Sequence, residues 1–395
     1  MKNLKILTLT LALLILLTPA LMADDVDFSG TLRSDLIVDE DGNMESLEKF
    51  NLILEQEFGF DADLQVDLEF RLDEDYTLEA KIREAYLDYY TLNSDWRIGK
   101  QTINWGSGYK LQPTDYFNPQ DIRDLKPLDE KLGVKAVQNT YYTSGGTELS
   151  GVVVPFFKGS LDLRELEQQA QLLADEDDFQ NLNYDYPEHE LENIQAGAKL
   201  TQRGFRGYDV SFSAYHGYDT LPVISFTEEP SENFISIGED KIPANMAYPE
   251  VNKVGFDIIG DINNFGVWLE TTYNHYDDYD NGLEATFGGD YTSSNDLYFV
   301  AQGYYNEGRN EFEDDIRALN LHASKPVFTF HEVELTTLYD LESESYLIEP
   351  QFNYSVVDSV DLKVGGRIVE NKLEAGGFGE FLGDDQFYAR LQADF

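Results

Sequence analysis

From Phe50 to Leu72 the even positions are apolar almost without a break: Phe50, Leu52, Leu54, Phe58, Phe60, Ala62, Leu64, Val66, Leu68, Phe70 and Leu72. The odd positions Asn51, Glu55, Glu57, Asp61, Asp63, Gln65, Asp67, Glu69 and Arg71 are mostly polar. A period of two sustained this long predicts β-structure with one wet and one apolar face. Gly59, Asp61 and Asp63 supply a turn in the middle, so the segment reads as a hairpin with strands of about 11 residues. Soluble proteins average roughly 5 to 6 residues per strand, whereas a tilted strand crossing a bilayer needs ~9 to 11.

The same texture recurs along the chain, with Val26, Phe28, Gly30, Leu32 and Leu36 near one end and Val360, Leu362, Val364, Gly366 and Ile368 near the other. Eighteen such segments begin near residues 26, 48, 62, 78, 95, 132, 148, 191, 207, 250, 264, 282, 295, 316, 328, 344, 359 and 384. Connections after even-numbered segments are short, and three after odd-numbered ones are long, covering roughly 106–131, 158–190 and 219–249. Short periplasmic turns alternating with longer external loops mark an outer-membrane barrel. The predicted fold is an all-β transmembrane antiparallel β-barrel of 16 to 18 strands, 18 preferred, in a single domain spanning 24–395.

Residues 1–23 are set apart as a signal peptide: Lys2 and Lys5 precede an apolar run from Ile6 to Leu17, then Thr18, Pro19 and Ala20, with cleavage expected after Ala23. The absence of cysteine excludes disulfides, thiolate zinc sites, cysteine nucleophiles and a lipoprotein anchor. With 75 acidic and 28 basic residues the net charge is -47, which argues against nucleic-acid partners. At the other end, Phe387, Ala389, Leu391, Ala393 and Phe395 share one face. They resemble the strand by which bacterial outer-membrane barrels are recognised for assembly, making Phe387, Leu391 and Phe395 candidate assembly-signal residues. Tyr89, Tyr90, Trp96, Trp105, Tyr141, Tyr142, Tyr304 and Tyr305 are expected in interfacial girdles.

The most distinctive local sequence is Gly99-Lys100-Gln101-Thr102-Ile103-Asn104-Trp105-Gly106, followed by Pro113-Thr114-Asp115 and Asn118-Pro119. It resembles the Gly-Arg/Lys-Gln, Trp-Gly, Asp, Asn-Pro pattern of porin-like bacterial outer-membrane barrels, related in style to alginate-export-type porins, with Lys100 where Arg is common. The match spans about residues 84–121, and the resemblance implies a channel. Gly106 and Gly108 release the backbone into a loop stiffened by Pro113 and Pro119. This is the third external loop, which in general porins folds inward and narrows the pore.

Residues 71–135 carry ten of the 26 basic side chains that follow the signal peptide. Strand parity turns Phe70, Ala80, Ile82, Trp96 and Ile98 toward lipid and Arg71, Lys81, Arg83 and Arg97 toward the lumen. In one reading these cations, with Gln101, line a constriction and face Asp115, Asp121 and Asp124 on the third loop, creating a transverse field. In the other, Arg71, Lys81 and Arg83 neutralise Asp67, Glu69 and Glu79 as cross-strand pairs.

Acidic runs such as Asp39-Glu40-Asp41, Asp175-Glu176-Asp177-Asp178 and Asp277, Asp278 and Asp280 read as solvated loop surface. Calcium is the alternative for Asp278, Asp280 and Gly282 or Asp39, Asp41 and Gly42, though the full twelve-residue loop is absent and no metal site is assigned. Five histidines (His189, His216, His275, His322, His331) lie in no Gly-x-Ser-x-Gly or His-Glu-x-x-His motif, which disfavours an outer-membrane hydrolase. Leu163, Leu166, Ala170, Leu172 and Leu173 suggest a short amphipathic helix over the barrel mouth. No N-terminal plug domain precedes the first strand, which favours passive diffusion over an energy-coupled receptor. The expectation is a cofactor-free outer-membrane channel for small hydrophilic solutes. Its expected partners are outer-membrane lipid, lipopolysaccharide and the barrel-assembly machinery, and a homotrimer stays open. The rival is a barrel anchoring adhesive loops.

Overall fold

The structure is a computed structural model describing residues 26–73, 76–121, 130–160, 183–226, 235–237, 240–242, 244–309, 315–370 and 385–395. The signal peptide, Asp124 and the amphipathic stretch around 163–173 lie outside the described residues. Eighteen strands form one sheet. They are β1 (Asp27–Asp39), β2 (Met44–Phe58), β3 (Ala62–Leu72), β4 (Leu78–Tyr90), β5 (Ser94–Gln101), β6 (Val134–Tyr142), β7 (Thr147–Val154), β8 (Gln195–Phe205) and β9 (Tyr208–Tyr218). The second half comprises β10 (Glu250–Ile262), β11 (Phe265–Tyr276), β12 (Gly282–Thr292), β13 (Tyr298–Asn306), β14 (Ile316–Val327), β15 (His331–Asp340), β16 (Tyr346–Val357), β17 (Val360–Glu370) and β18 (Gln386–Asp394).

Each strand pairs antiparallel with its neighbour in sequence, and β18 pairs back onto β1 with Leu36 opposite Ala389. Closure leaves no sheet edge, which is what a β-protein in hydrocarbon requires, because an unpaired backbone amide there has no water to turn to. The count is therefore 18, the preferred value. The outward face carries Leu32, Ile98, Val153, Phe212, Val254 and Phe287, all substantially exposed, while Arg33, Lys49, Glu69, Asp257, Glu270 and Gln302 are buried on the lumenal side. This inversion of the soluble pattern is the signature of a barrel whose solvent outside is lipid.

Two features set positions that simple alternation misses. A register shift between Asp67 and Leu68 opposite β4 makes Arg83 an extra residue, so that Lys81 and Glu79 face inward before it and Glu84, Tyr86 and Asp88 after it. Gly99 has φ +138°, and a Cβ there would lie 2.2 Å from the Ala85 carbonyl oxygen, so only glycine allows β5 this close to β4. Among the described residues the loops 155–194 and 219–249 contribute a small mixed sheet, in which 244–247 pairs parallel with 183–185 and antiparallel with 223–226.

Candidate functional site: the lumenal wall and the third loop

Hairpin register places Arg33, Lys49 and Arg71 directly opposite one another on β1, β2 and β3. Like charges in such a row repel unless carboxylates lie between them. Glu69 supplies one, meeting Lys49 at 3.0 Å, Arg71 at 3.3 Å and Arg83 at 3.4 Å. Glu130, on the returning leg of the third loop, supplies the second, at 3.0 Å from Lys49, 3.1 Å from Arg83 and 3.8 Å from Arg33. Asp35 pairs with Arg33 at 2.8 Å and with Arg390 of β18 at 2.7 Å, and Arg367 of β17 pairs with Glu349 of β16 at 3.2 Å. The result is a row of cations and intervening carboxylates running from β16 to β4, buried at Arg33, Lys49, Glu69 and Arg71 and partly open at Arg83 and Glu130.

The sequence-predicted cations divide between this row and other partners. Arg71 and Arg83 belong to it, with Arg83 also 3.7 Å from Asp67. Lys81 pairs with Glu79 at 3.1 Å. Arg97 stands apart, held by Asp88 through two hydrogen bonds of 2.7 Å and lying 3.9 Å over the Tyr86 ring. Gln101 is fully buried and donates to the Ala136 carbonyl at 3.1 Å, so it closes the base of the loop. Asp115 turns into its own loop, where it pairs with Lys131 and accepts from Asn118 Nδ2 at 2.7 Å. Asp121 is buried, and its charge acts on Arg83. Arg33, Lys49 and Glu130 were missed because their meeting depends on register and on the path of the loop.

The third loop turns into the barrel and is fastened to the wall nine strands from β2, half of the circumference away. The fully buried Glu270 of β11 accepts hydrogen bonds from the amides of Ser107, Gly108 and Thr114, and from Thr114 Oγ1 at 2.7 Å. Gln302 of β13 accepts from the Tyr109 amide at 2.8 Å and donates to the Tyr109 carbonyl at 2.9 Å. Tyr116 shares a 2.8 Å hydrogen bond with Ser213 of β9. Within the loop, Asn118 accepts from the Ile103 amide at 3.0 Å and Pro119 from the Leu132 amide at 2.8 Å. Pro113 is buried beside them. The side chain of Gln112 fills the space that a Cβ on Gly106 would need.

This inward path corrects the girdle expectation for Trp105. It packs edge-on against Phe117 at 5.2 Å in a buried cluster with Ile103, Tyr116, Val154 and Tyr215. Tyr89, Trp96 and Tyr141 are exposed on the outer surface, but Tyr90, Tyr142 and Tyr304 turn toward Asp88, Asp95 and Glu284. Adjacent residues of a strand point to opposite faces, so a Tyr-Tyr pair cannot place both rings in lipid by strand geometry alone. Asp39 holds the first external turn through the Asn43 amide at 2.7 Å, using a carboxylate that the calcium alternative would need. No group of three metal-capable side chains exists among the described residues.

No protein-family model matches the sequence, and no curated protein matches it significantly. Solved structures do match the fold. The chain is similar to the outer membrane protein OpdK from Pseudomonas aeruginosa, with a TM-score of 0.58 and 9% identity over 94% of this chain and 99% of that one. OccK5 (OpdH) from the same organism aligns with a TM-score of 0.54 and 9% identity, over 94% of this chain and 98% of its own. OccK10 (OpdN), also from Pseudomonas aeruginosa, gives 0.54 and 10% over 94% and 99%. The chain has the fold of an 18-stranded outer-membrane β-barrel.

Proposed function

We propose that this protein is a passive outer-membrane channel for small hydrophilic solutes, with the third loop narrowing the lumen and the charged row facing it across the passage. The observation carrying this reading is the anchoring of a long loop to the inner wall through Glu270 and Gln302, half a circumference from the row of Arg33, Lys49 and Arg71. A barrel serving only as an anchor has no need of either. Because Glu69, Glu130 and Asp35 lie among the cations, the row acts as a polar track with nearly balanced charge, and the acidic excess of the chain biases permeation toward cations.

On the same reading, the motif from Gly99 to Pro119 relates the chain to alginate-export-type porins, supported by the roles of Gln101, Asp115 and Asn118 in shaping the base of the loop. Phe387, Leu391 and Phe395, outward and exposed on or beside β18, serve as the signal for barrel assembly. The test is single-channel conductance of the refolded protein in a planar bilayer, with reversal potential under a salt gradient. Stepwise conductance with mild cation preference is expected. A heat-modifiable barrel that inserts but passes no current overturns the reading.

A further inference from the structure

On the outer face of the barrel, β5 and β6 place Lys100 directly opposite Lys135. One step toward the periplasm lie Ile98 and Val137, also partners and both exposed outward. The two lysines therefore continue a lipid-facing surface. Lys100 donates to the Ile82 carbonyl, and Lys135 lies over the Phe156 ring at 5.6 Å. Among the described residues neither has a carboxylate within ion-pair distance. Lys158, Lys81 and Lys135 all lie close enough for their charges to act on Lys100.

This is costly in two ways. Like charges directly opposite on neighbouring strands destabilise the pair, and a lysine on the lipid face costs roughly 2 to 4 kcal/mol at the bilayer midplane, falling to about 0 to 1 at the interface. The wall here is also low. β5, β6 and β7 have 8, 9 and 8 residues, against the ~9 to 11 that a crossing needs, and β2 has 15. The polar layer of the outer leaflet therefore comes down toward the lysine pair, and long lysine side chains reach up to meet it.

We infer that Lys100 and Lys135, with Lys158 beside them, form an external site for the phosphate of an outer-leaflet glycolipid. An anion between the two ammonium groups removes their repulsion and supplies a countercharge that no described carboxylate provides, while the acyl chains follow Ile98, Val137 and Val153. The inference rests on the outer-membrane placement of the barrel and not on conductance, so either can fail alone.

The test is a titration of bisphosphorylated lipid A, and of its dephosphorylated counterpart, into nanodiscs holding the mature protein or its Lys100→Gln/Lys135→Gln variant. Heat-modified electrophoretic mobility monitors folding. The wild type should bind the phosphorylated lipid about thirtyfold more tightly than the variant, equivalent to about 2 kcal/mol at ~1 kcal/mol per lysine. A Lys100→Arg/Lys135→Arg variant should retain the affinity, and the dephosphorylated lipid should bind all three proteins alike. Where the double variant does not fold, Lys135→Gln alone should lose about fivefold. Equal affinity for the two lipids overturns the inference. So does full competition by millimolar inorganic phosphate, which makes this a free-ion site, or a change in oligomeric mass on substitution, which makes the face a subunit contact.

Discussion

Four donors from one loop converge on Glu270 across more than 150 residues of sequence. Replacing it with Ala removes their common acceptor, at about 1 to 3 kcal/mol for each buried donor left unpaired. Glu270→Ala should therefore free the third loop while the barrel still folds, seen as higher single-channel conductance and greater open-channel noise. A different signature is expected on the opposite wall. Arg71→Gln with Arg83→Gln deletes two of the cations around Glu69 and one at Glu130, so the reversal potential should move toward stronger cation selectivity. An unchanged potential would mean the row does not face the permeating solute. The inward direction of Arg71 follows from alternation, but the company it keeps does not. Arg33 and Lys49 join it only through the register of two hairpins, and Glu130 only through the path of a 32-residue connection.

Among the elements, β5 is the one most dependent on a single residue. Gly99→Ala forces a side chain into the left-handed φ region and against the Ala85 carbonyl, a strain of about 1 to 3 kcal/mol before any clash is counted. The variant should show a lower temperature for loss of the compact electrophoretic form, whereas Gly151→Ala, which meets nothing within 4 Å, should not. Strand positions were legible because alternation is dictated by a pleat with lipid on one side and a wet lumen on the other; the starts agree with the structure to within a few residues. The shift beside Arg83 was not legible. A bulge alters pairing by one residue and leaves only a brief irregularity in the pattern.

The whole molecule is tied together at the external end by Asp219, which joins the start of the loop 219–249 to Lys253 of β10 at 2.6 Å, Arg309 at 3.4 Å and Tyr276 of β11 at 2.5 Å. Burial alone would raise the pKa of Asp219, but Lys253 and Arg309 hold it below the ordinary carboxylate value. A depressed value means the carboxylate stabilises the fold above the unfolded pKa of about 3.9, and this stabilisation disappears as pH falls through the folded value. The melting temperature of the wild type should therefore drop below about pH 4, while Asp219→Asn should start lower at neutral pH and drop less over the same window.

Strand class, the order of short and long connections and the facing of Arg71, Lys81 and Arg97 were all determined by the sequence alone. Each depends on local periodicity, and the bilayer imposes that periodicity on every crossing in turn. Closure of β18 onto β1, the charged row from β16 to β4 and the latch of the third loop on Glu270 were decided only by tertiary structure. Those contacts join residues far apart in the chain, and their geometry follows from register, tilt and the volume enclosed, quantities that no single strand carries.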